Sequence, residues 1–87
     1  MNKDEVINII NEFLIDELEI NPEEIKPEAT FKEDLGIDSL DFVDIAVIVE
    51  KNFKFKVLAE EMKDVRTLEN FYDYIIMKVE QKSSVQQ

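Results

Sequence analysis

The sequence predicts an all-α fold, a four-helix bundle with three longer helices and one short helix, and with a long loop after the first helix. Three stretches carry apolar residues at intervals of three and four positions, the spacing of one face of an α-helix. The dipeptides that mark β-hairpin turns are absent from the chain. Two prolines interrupt the connection between the first two stretches.

The first helix is predicted from Asp4 to about Leu18. Asn2, with Glu5 three residues later, is a candidate N-cap, and Asp4 is the alternative. Apolar residues recur along one face of this segment, at Val6, Ile7, Ile10, Phe13, Leu14 and Leu18.

Residues 19–30 are predicted to form a loop with a short turn near Pro22, because each proline disfavours helix at the residue before it. At the end of the loop, Thr30 and Glu33 have the spacing of a capping box. Three apolar side chains are expected to hold this connection against the core: Ile20, Ile25 and Phe31.

The second helix is predicted from Leu40 to Phe53, although its many β-branched residues also fit a buried strand. A helix is favoured because Asp38 is a good N-cap, because Asp41 and Asp44 lie in the first turns, and because the segment is longer than an ordinary strand. We expect its inward face to comprise Leu40, Val43, Val47 and the side of Ala46. Phe42 fits either a solvent-exposed or a core position, and the sequence leaves this choice open.

A short helix or turn is predicted over residues 57–63. Thr67 is the expected cap of the last helix, whose apolar face comprises Leu68, Phe71, Tyr72, Ile75 and Val79. Residues 1–80 are predicted to form a single domain, and residues 81–87 a frayed tail.

Composition restricts the function. The formal charge is −11, from 21 acidic and 10 basic residues, which disfavours binding to nucleic acid or anionic lipid and favours partners with basic patches. The chain has no histidine and no cysteine, so thiolate and imidazole metal sites are excluded. We therefore expect a cytoplasmic monomer without a membrane span or a metal site.

One serine lies where the second helix is predicted to begin. Ser39 follows the only glycine, Gly36, and is flanked by Asp38. A serine hydroxyl is a weak nucleophile without a base, and no histidine is present to act as one. Ser39 is therefore predicted to be a residue that another protein modifies, with a plain helix-start residue as the alternative.

A longer pattern surrounds this serine. Residues 35–53 read LGIDSLDFVDIAVIVEKNF, and the pattern continues through Glu60-Glu61, Thr67-Leu68 and Asp73-Tyr74-Ile75. Over about residues 4–78 it resembles the acyl carrier protein family of bacterial type II fatty acid synthesis. The resemblance implies that a phosphopantetheinyl transferase attaches 4′-phosphopantetheine from coenzyme A to Ser39. It also implies a non-enzymatic carrier that holds acyl groups as thioesters and delivers them to fatty acid synthesis enzymes.

The resemblance assigns further roles. Basic patches of the transferase and of acyl-processing enzymes are expected to meet four acids: Asp38, Asp41, Asp44 and Glu50. Backbone amides at the start of the second helix are expected to favour the phosphodiester. Val43, Val47, Phe71 and Ile75 are expected above all to be core residues, and the resemblance implies that such packing can also part to shelter an acyl chain.

The chain departs from the usual family pattern after the second helix, where lysines replace acids at Lys51, Lys54 and Lys56. The departure leaves open a specialised carrier for polyketide or other lipid assembly. From a different class, a small helical interaction module is the remaining alternative.

Overall fold

The computed structural model describes residues 2–85, with the side chains of Ser39, Ala59 and residues 82–85 outside that description. Over this range the chain forms four α-helices and one 3-10 turn, and it contains no named β-strand. The helices are α1 (Lys3–Asp16), α2 (Ser39–Phe53), α3 (Ala59–Met62) and α4 (Leu68–Val85). The predicted all-α fold, with three longer helices and one short one, is confirmed.

Helix α1 begins where Asn2 caps it, since the Asn2 side chain accepts a hydrogen bond from the amide of Glu5 at 2.8 Å. It ends at Asp16, two residues before the predicted Leu18. The amide of Ile20 donates to the carbonyl of Leu14 at 2.9 Å, which turns the chain away from the helix axis. Four side chains of α1 are buried: Val6, Ile10, Phe13 and Leu14.

The long connection between α1 and α2 is tied to the start of α4. Its predicted short turn is the 3-10 turn Pro22–Glu24. Farther on, the amide of Phe31 donates to the carbonyl of Arg66 at 3.0 Å, and the amide of Leu68 donates to the carbonyl of Ala29 at 2.9 Å. The three side chains expected to hold the connection do pack on the core, Phe31 fully buried and the others half-buried: Phe31, Ile20 and Ile25.

The predicted capping box between Thr30 and Glu33 is wrong. Thr30 pairs instead with Asp34, whose carboxylate accepts from the Thr30 amide at 2.8 Å and whose amide donates to the Thr30 hydroxyl at 3.2 Å. Residues 31–34 form turns, and no helix begins within them. The four-residue spacing closes a tight turn that leads to Gly36.

Helix α2 is a helix, as predicted, but its inward face was predicted wrongly. Ile45, Val49 and Phe53 are buried, whereas Ala46 is only half-buried. The residues expected inside are largely exposed: Leu40 at 77%, Val43 at 63% and Val47 at 58%. Both sets follow helical spacing, so the periodicity of the sequence does not decide which one faces the core.

Helix α4 begins as predicted at Thr67, whose hydroxyl accepts from the amide of Asn70 at 3.2 Å. Its predicted apolar face is buried at four positions and half-buried at the fifth: Leu68, Phe71, Tyr72, Ile75 and Val79. Residues 81–85, predicted to fray, continue the helix, and residues 86 and 87 lie outside the described range.

Aromatic rings join three parts of the fold at Phe71, which is completely buried. Its ring centroid lies 6.5 Å from that of Phe13 in α1 and 5.4 Å from that of Phe31 in the long connection. Both pairs are edge-on, a favourable geometry for aromatic rings. This cluster fixes the connection that leads into α2.

Candidate functional site

The turn before α2 depends on Gly36. Its φ is +66°, a left-handed conformation in which a side chain is strained, although a Cβ there would meet no atom within 4 Å. After this turn Ile37 is buried, and its amide donates to the carbonyl of Phe31 at 2.7 Å. The turn therefore places Asp38 at the surface, directly before the helix.

Asp38 caps α2, as predicted. Its Oδ1 accepts hydrogen bonds from the amides of Leu40 at 2.9 Å and Asp41 at 3.2 Å. In return, Oδ2 of Asp41 accepts from the amide of Asp38 at 3.2 Å, which completes a capping box. Ser39 is thus the first residue of a helix whose start is held by the side chains of both Asp38 and Asp41.

This cap corrects one expectation about the site. Free backbone amides at the helix start were expected to favour an anion, but the carboxylate of Asp38 already accepts from the amides of Leu40 and Asp41. An anion attached at Ser39 therefore gains no hydrogen bond from these two amides while the cap is in place. The helix dipole remains as a favourable contribution.

The four predicted docking acids have different settings. Asp38, Asp44 and Glu50 are exposed, whereas Asp41 is half-buried and engaged in the cap. Asp44 also lines a groove between α1 and α2. Three of the four acids therefore lie on the exposed side of α2, between its start and its last turn.

An exposed apolar stripe accompanies these acids and was missed by sequence reasoning. It consists of Leu40, Val43 and Val47, which follow one another at steps of three and four residues. A run of exposed apolar side chains on one helix face is typical of an interaction surface. The sequence did contain a signal for this stripe, because α2 has apolar residues on more sides than one contact with the core requires.

A second groove lies beside the start of α2. Its volume is about 580 Å³, and Ile37 and Asp38 form part of its wall. Phe42 packs on Phe31 with ring centroids 5.7 Å apart and is half-buried. Of the two positions that the sequence left open for Phe42, the structure therefore shows the one against the core. The remaining walls include one apolar side chain and two cations: Val65, Lys32 and Arg66.

Within residues 2–85, no group of three or more histidine, cysteine, aspartate or glutamate side chains is arranged to hold a metal ion. In the same range, no helix has the length and hydrophobicity needed to cross a bilayer.

Comparison with known proteins gives a consistent result. A family model described as "Phosphopantetheine attachment site" matches residues 8–75. A protein named acyl carrier protein from Thermosynechococcus vestitus is 35% identical over 79 residues, which cover 91% of this chain and 98% of the relative.

Two further relatives carry the same name. The acyl carrier protein of Rubrobacter xylanophilus is 36% identical over 76 residues, covering 87% of this chain and 94% of the relative. That of Wolinella succinogenes is 37% identical over 70 residues, covering 80% and 92%. The similarity therefore extends over nearly the whole length of these relatives.

Proposed function

Because the chain belongs to the acyl carrier protein family, we propose that Ser39 carries its phosphopantetheine arm and that the protein delivers acyl groups to the enzymes of fatty acid synthesis. Members of this family are carriers and not catalysts. The cofactor is 4′-phosphopantetheine. When attached, it supplies the thiol that holds acyl groups as thioesters, for which this cysteine-free chain has no side chain of its own.

One observation carries the assignment of Ser39. Among residues 8–75, which match the phosphopantetheine attachment model, Ser39 is the only serine. The other two, Ser83 and Ser84, lie beyond the matched range. Ser39 is also the first residue of α2, and its neighbour Leu40 is 77% exposed, so the transferase has open access to this end of the helix.

The surroundings of Ser39 fit the arm in charge and polarity. The wall of the adjacent groove contains two cations, Lys32 and Arg66, and two carboxylates, Glu33 and Asp38, so its formal charge is balanced and it adds no net negative charge beside the phosphodiester. Apolar wall residues offer cover for the less polar parts of the arm or of a short acyl chain: Phe31, Ile37, Phe42 and Val65. Val43 and Val47 do not line an interior cavity, because they face solvent.

Partner enzymes are proposed to bind the exposed face of α2. Asp38, Asp44 and Glu50 provide charge that attracts basic patches and orients the encounter. The apolar stripe Leu40, Val43 and Val47 provides a short-range contact at the centre of that face. Asp41 contributes mainly by holding Asp38 in the cap. We propose that the carrier acts in this way as a cytoplasmic monomer.

A specialised carrier for polyketide or other lipid assembly is the second candidate. It is favoured by one observation, the group of three exposed lysines at and after the end of α2: Lys51, Lys54 and Lys56. The acyl groups bound in cells distinguish the two functions. A fatty acid synthesis carrier should hold a series of acyl groups of increasing length, some saturated and some with an oxygen on the β-carbon.

Loading tests the proposal. The purified chain is incubated with coenzyme A, Mg²⁺ and a phosphopantetheinyl transferase, and its intact mass is measured. We expect a gain of one phosphopantetheine group in the natural chain and in the Ser83→Ala, Ser84→Ala variant, and no gain in Ser39→Ala. An unchanged mass of the natural chain with several competent transferases would contradict the proposal.

A further inference from the structure

Along the exposed face of α2 and the segment that follows it, the charge changes from negative to positive. Residues 38–44 contain three carboxylates, Asp38, Asp41 and Asp44, and no basic residue. Residues 50–56 contain three lysines and one carboxylate, so nearly a third of the ten basic residues of the chain lie within six positions. Residues 50–56 therefore carry a net positive charge in a strongly acidic protein, although Glu50 within them is one of the docking acids.

The first lysine belongs to the same side of α2 as the docking residues. Asp44, Val47 and Lys51 line one groove, and they are spaced by three and four positions on the helix. With a rise of 1.5 Å per residue, Asp44 and Lys51 are separated by about 10 Å along the axis. This distance is slightly longer than the Debye length of ~8 Å at physiological salt, so the two charges are partly screened from each other.

The other two lysines are held outward by the packing of their neighbours. Over residues 54–58, exposed and half-buried positions alternate, with Phe55 and Val57 packed against the core. The Phe55 ring centroid lies 6.3 Å from that of the buried Phe53. Lys54 and Lys56 consequently lie on the solvent side of an anchored segment, next to the exposed Leu58.

The charges of Lys51 and Lys56 are not neutralised by close ion pairs. Glu12 and Asp16 of α1 and the following Glu17 line the groove that includes Lys51, yet neither Lys51 nor Lys56 forms an ion pair within 4.0 Å with a described residue. Both ammonium groups are therefore available to a partner.

We propose that Lys51 and Lys56 determine partner specificity, because they fit an acyl-processing enzyme whose docking surface is itself divided in charge. Such a partner is basic where it meets Asp38 and Asp44 and acidic where it meets the lysines. A uniformly basic docking patch meets like charge at this end, which lowers its affinity and disfavours the wrong orientation. This inference rests on the proposed use of α2 as the docking face.

Two charge-matched variants test it. Lys51→Glu, Lys56→Glu reverses two charges at the proposed end. Lys3→Glu, Lys26→Glu makes the same change in net charge at two exposed lysines that are not on α2. Circular dichroism and thermal unfolding establish that each variant folds. Lys51→Gln, Lys56→Gln removes the charge without reversing it and should give an intermediate effect.

The probe is a purified synthase of bacterial type II fatty acid synthesis with a basic docking patch, titrated into the unmodified, ¹⁵N-labelled chain at 50 mM and 300 mM salt. At low salt we expect Lys51→Glu, Lys56→Glu to bind at least about threefold more tightly than the natural chain, beyond any gain of the control pair. The difference should shrink at high salt. Equal affinities of the two double variants would overturn the proposal.

Single replacements of basic residues in the synthase patch by glutamate supply the second arm. We expect at least one replacement to strengthen binding of the natural chain and to weaken binding of Lys51→Glu, Lys56→Glu. The absence of any such position would also overturn the proposal. Because the chain is unmodified throughout, this result is independent of whether Ser39 accepts phosphopantetheine.

Discussion

The hydroxyl of Tyr74 donates a hydrogen bond to Oε1 of Glu61 at 2.7 Å and so connects α4 to α3. Nζ of Lys78 lies 3.0 Å from the other oxygen of the same carboxylate. Helix α3 has only four residues and no side-chain cap at Leu58. The contacts of Glu61, together with the buried Met62, therefore fix this short helix to the bundle.

This pair makes stability depend on pH above the usual range. Burial and the Glu61 carboxylate raise the pKa of Tyr74 to about 12. Between about pH 10 and pH 12 an unfolded tyrosine has lost its proton while folded Tyr74 keeps it, so the free energy of unfolding falls as the pH rises. Tyr74→Phe should remove this part of the fall. Urea unfolding at several pH values from 9 to 12 measures it, and parallel curves for both proteins would contradict the assignment.

Two valine-to-alanine variants, at nearby positions of α2, test which face of this helix points to the core. Val49→Ala removes buried methyl groups and should lower the free energy of unfolding by about 2 kcal/mol. Val47→Ala should change it by less than about 0.5 kcal/mol, because Val47 is 58% exposed. Val47→Ala should instead raise the KM of the phosphopantetheinyl transferase several-fold. Equal losses of stability in urea unfolding would show that the assigned inward face is wrong.

Side-chain caps made the helix starts predictable from sequence. Asn2, Asp38 and Thr67 each carry an oxygen that accepts a backbone amide at a helix start, so the sequence locates these starts within a residue or two. The orientation of α2 was not predictable in the same way. Both of its apolar stripes have helical spacing, and the choice between them depends on where Phe31 and the long connection pack.

The cap at Asp38 offers a test at the site itself. Asp38→Ala removes the acceptor of the Leu40 and Asp41 amides and should cost about 1 kcal/mol of stability. Asp38→Asn retains an amide-accepting oxygen and should recover most of this loss. Unfolding curves in urea provide the comparison, and equal stabilities of Asp38→Ala and the natural chain would show that the capping box contributes nothing.

The groove beside Ser39 is partly filled by Phe42. Because its ring packs on Phe31, Phe42→Ala should enlarge the groove and lower the free energy of unfolding by about 2 kcal/mol. If acyl chains lie in this groove, the variant should protect longer thioesters from hydroxylamine better than the natural carrier does. Phe55→Ala, at another half-buried phenylalanine, is the control. Equal protection in the two variants would argue against acyl binding in the groove.

The central claim is that Ser39 carries the arm, and mapping the modified residue tests it most directly. After loading with coenzyme A and a transferase, the chain is digested with trypsin and the peptides are fragmented by mass spectrometry. The account predicts one phosphopantetheine group on the peptide of residues 33–51, which contains Ser39 as its only serine. Modification at Ser83 or Ser84, with the 33–51 peptide unchanged, would contradict it.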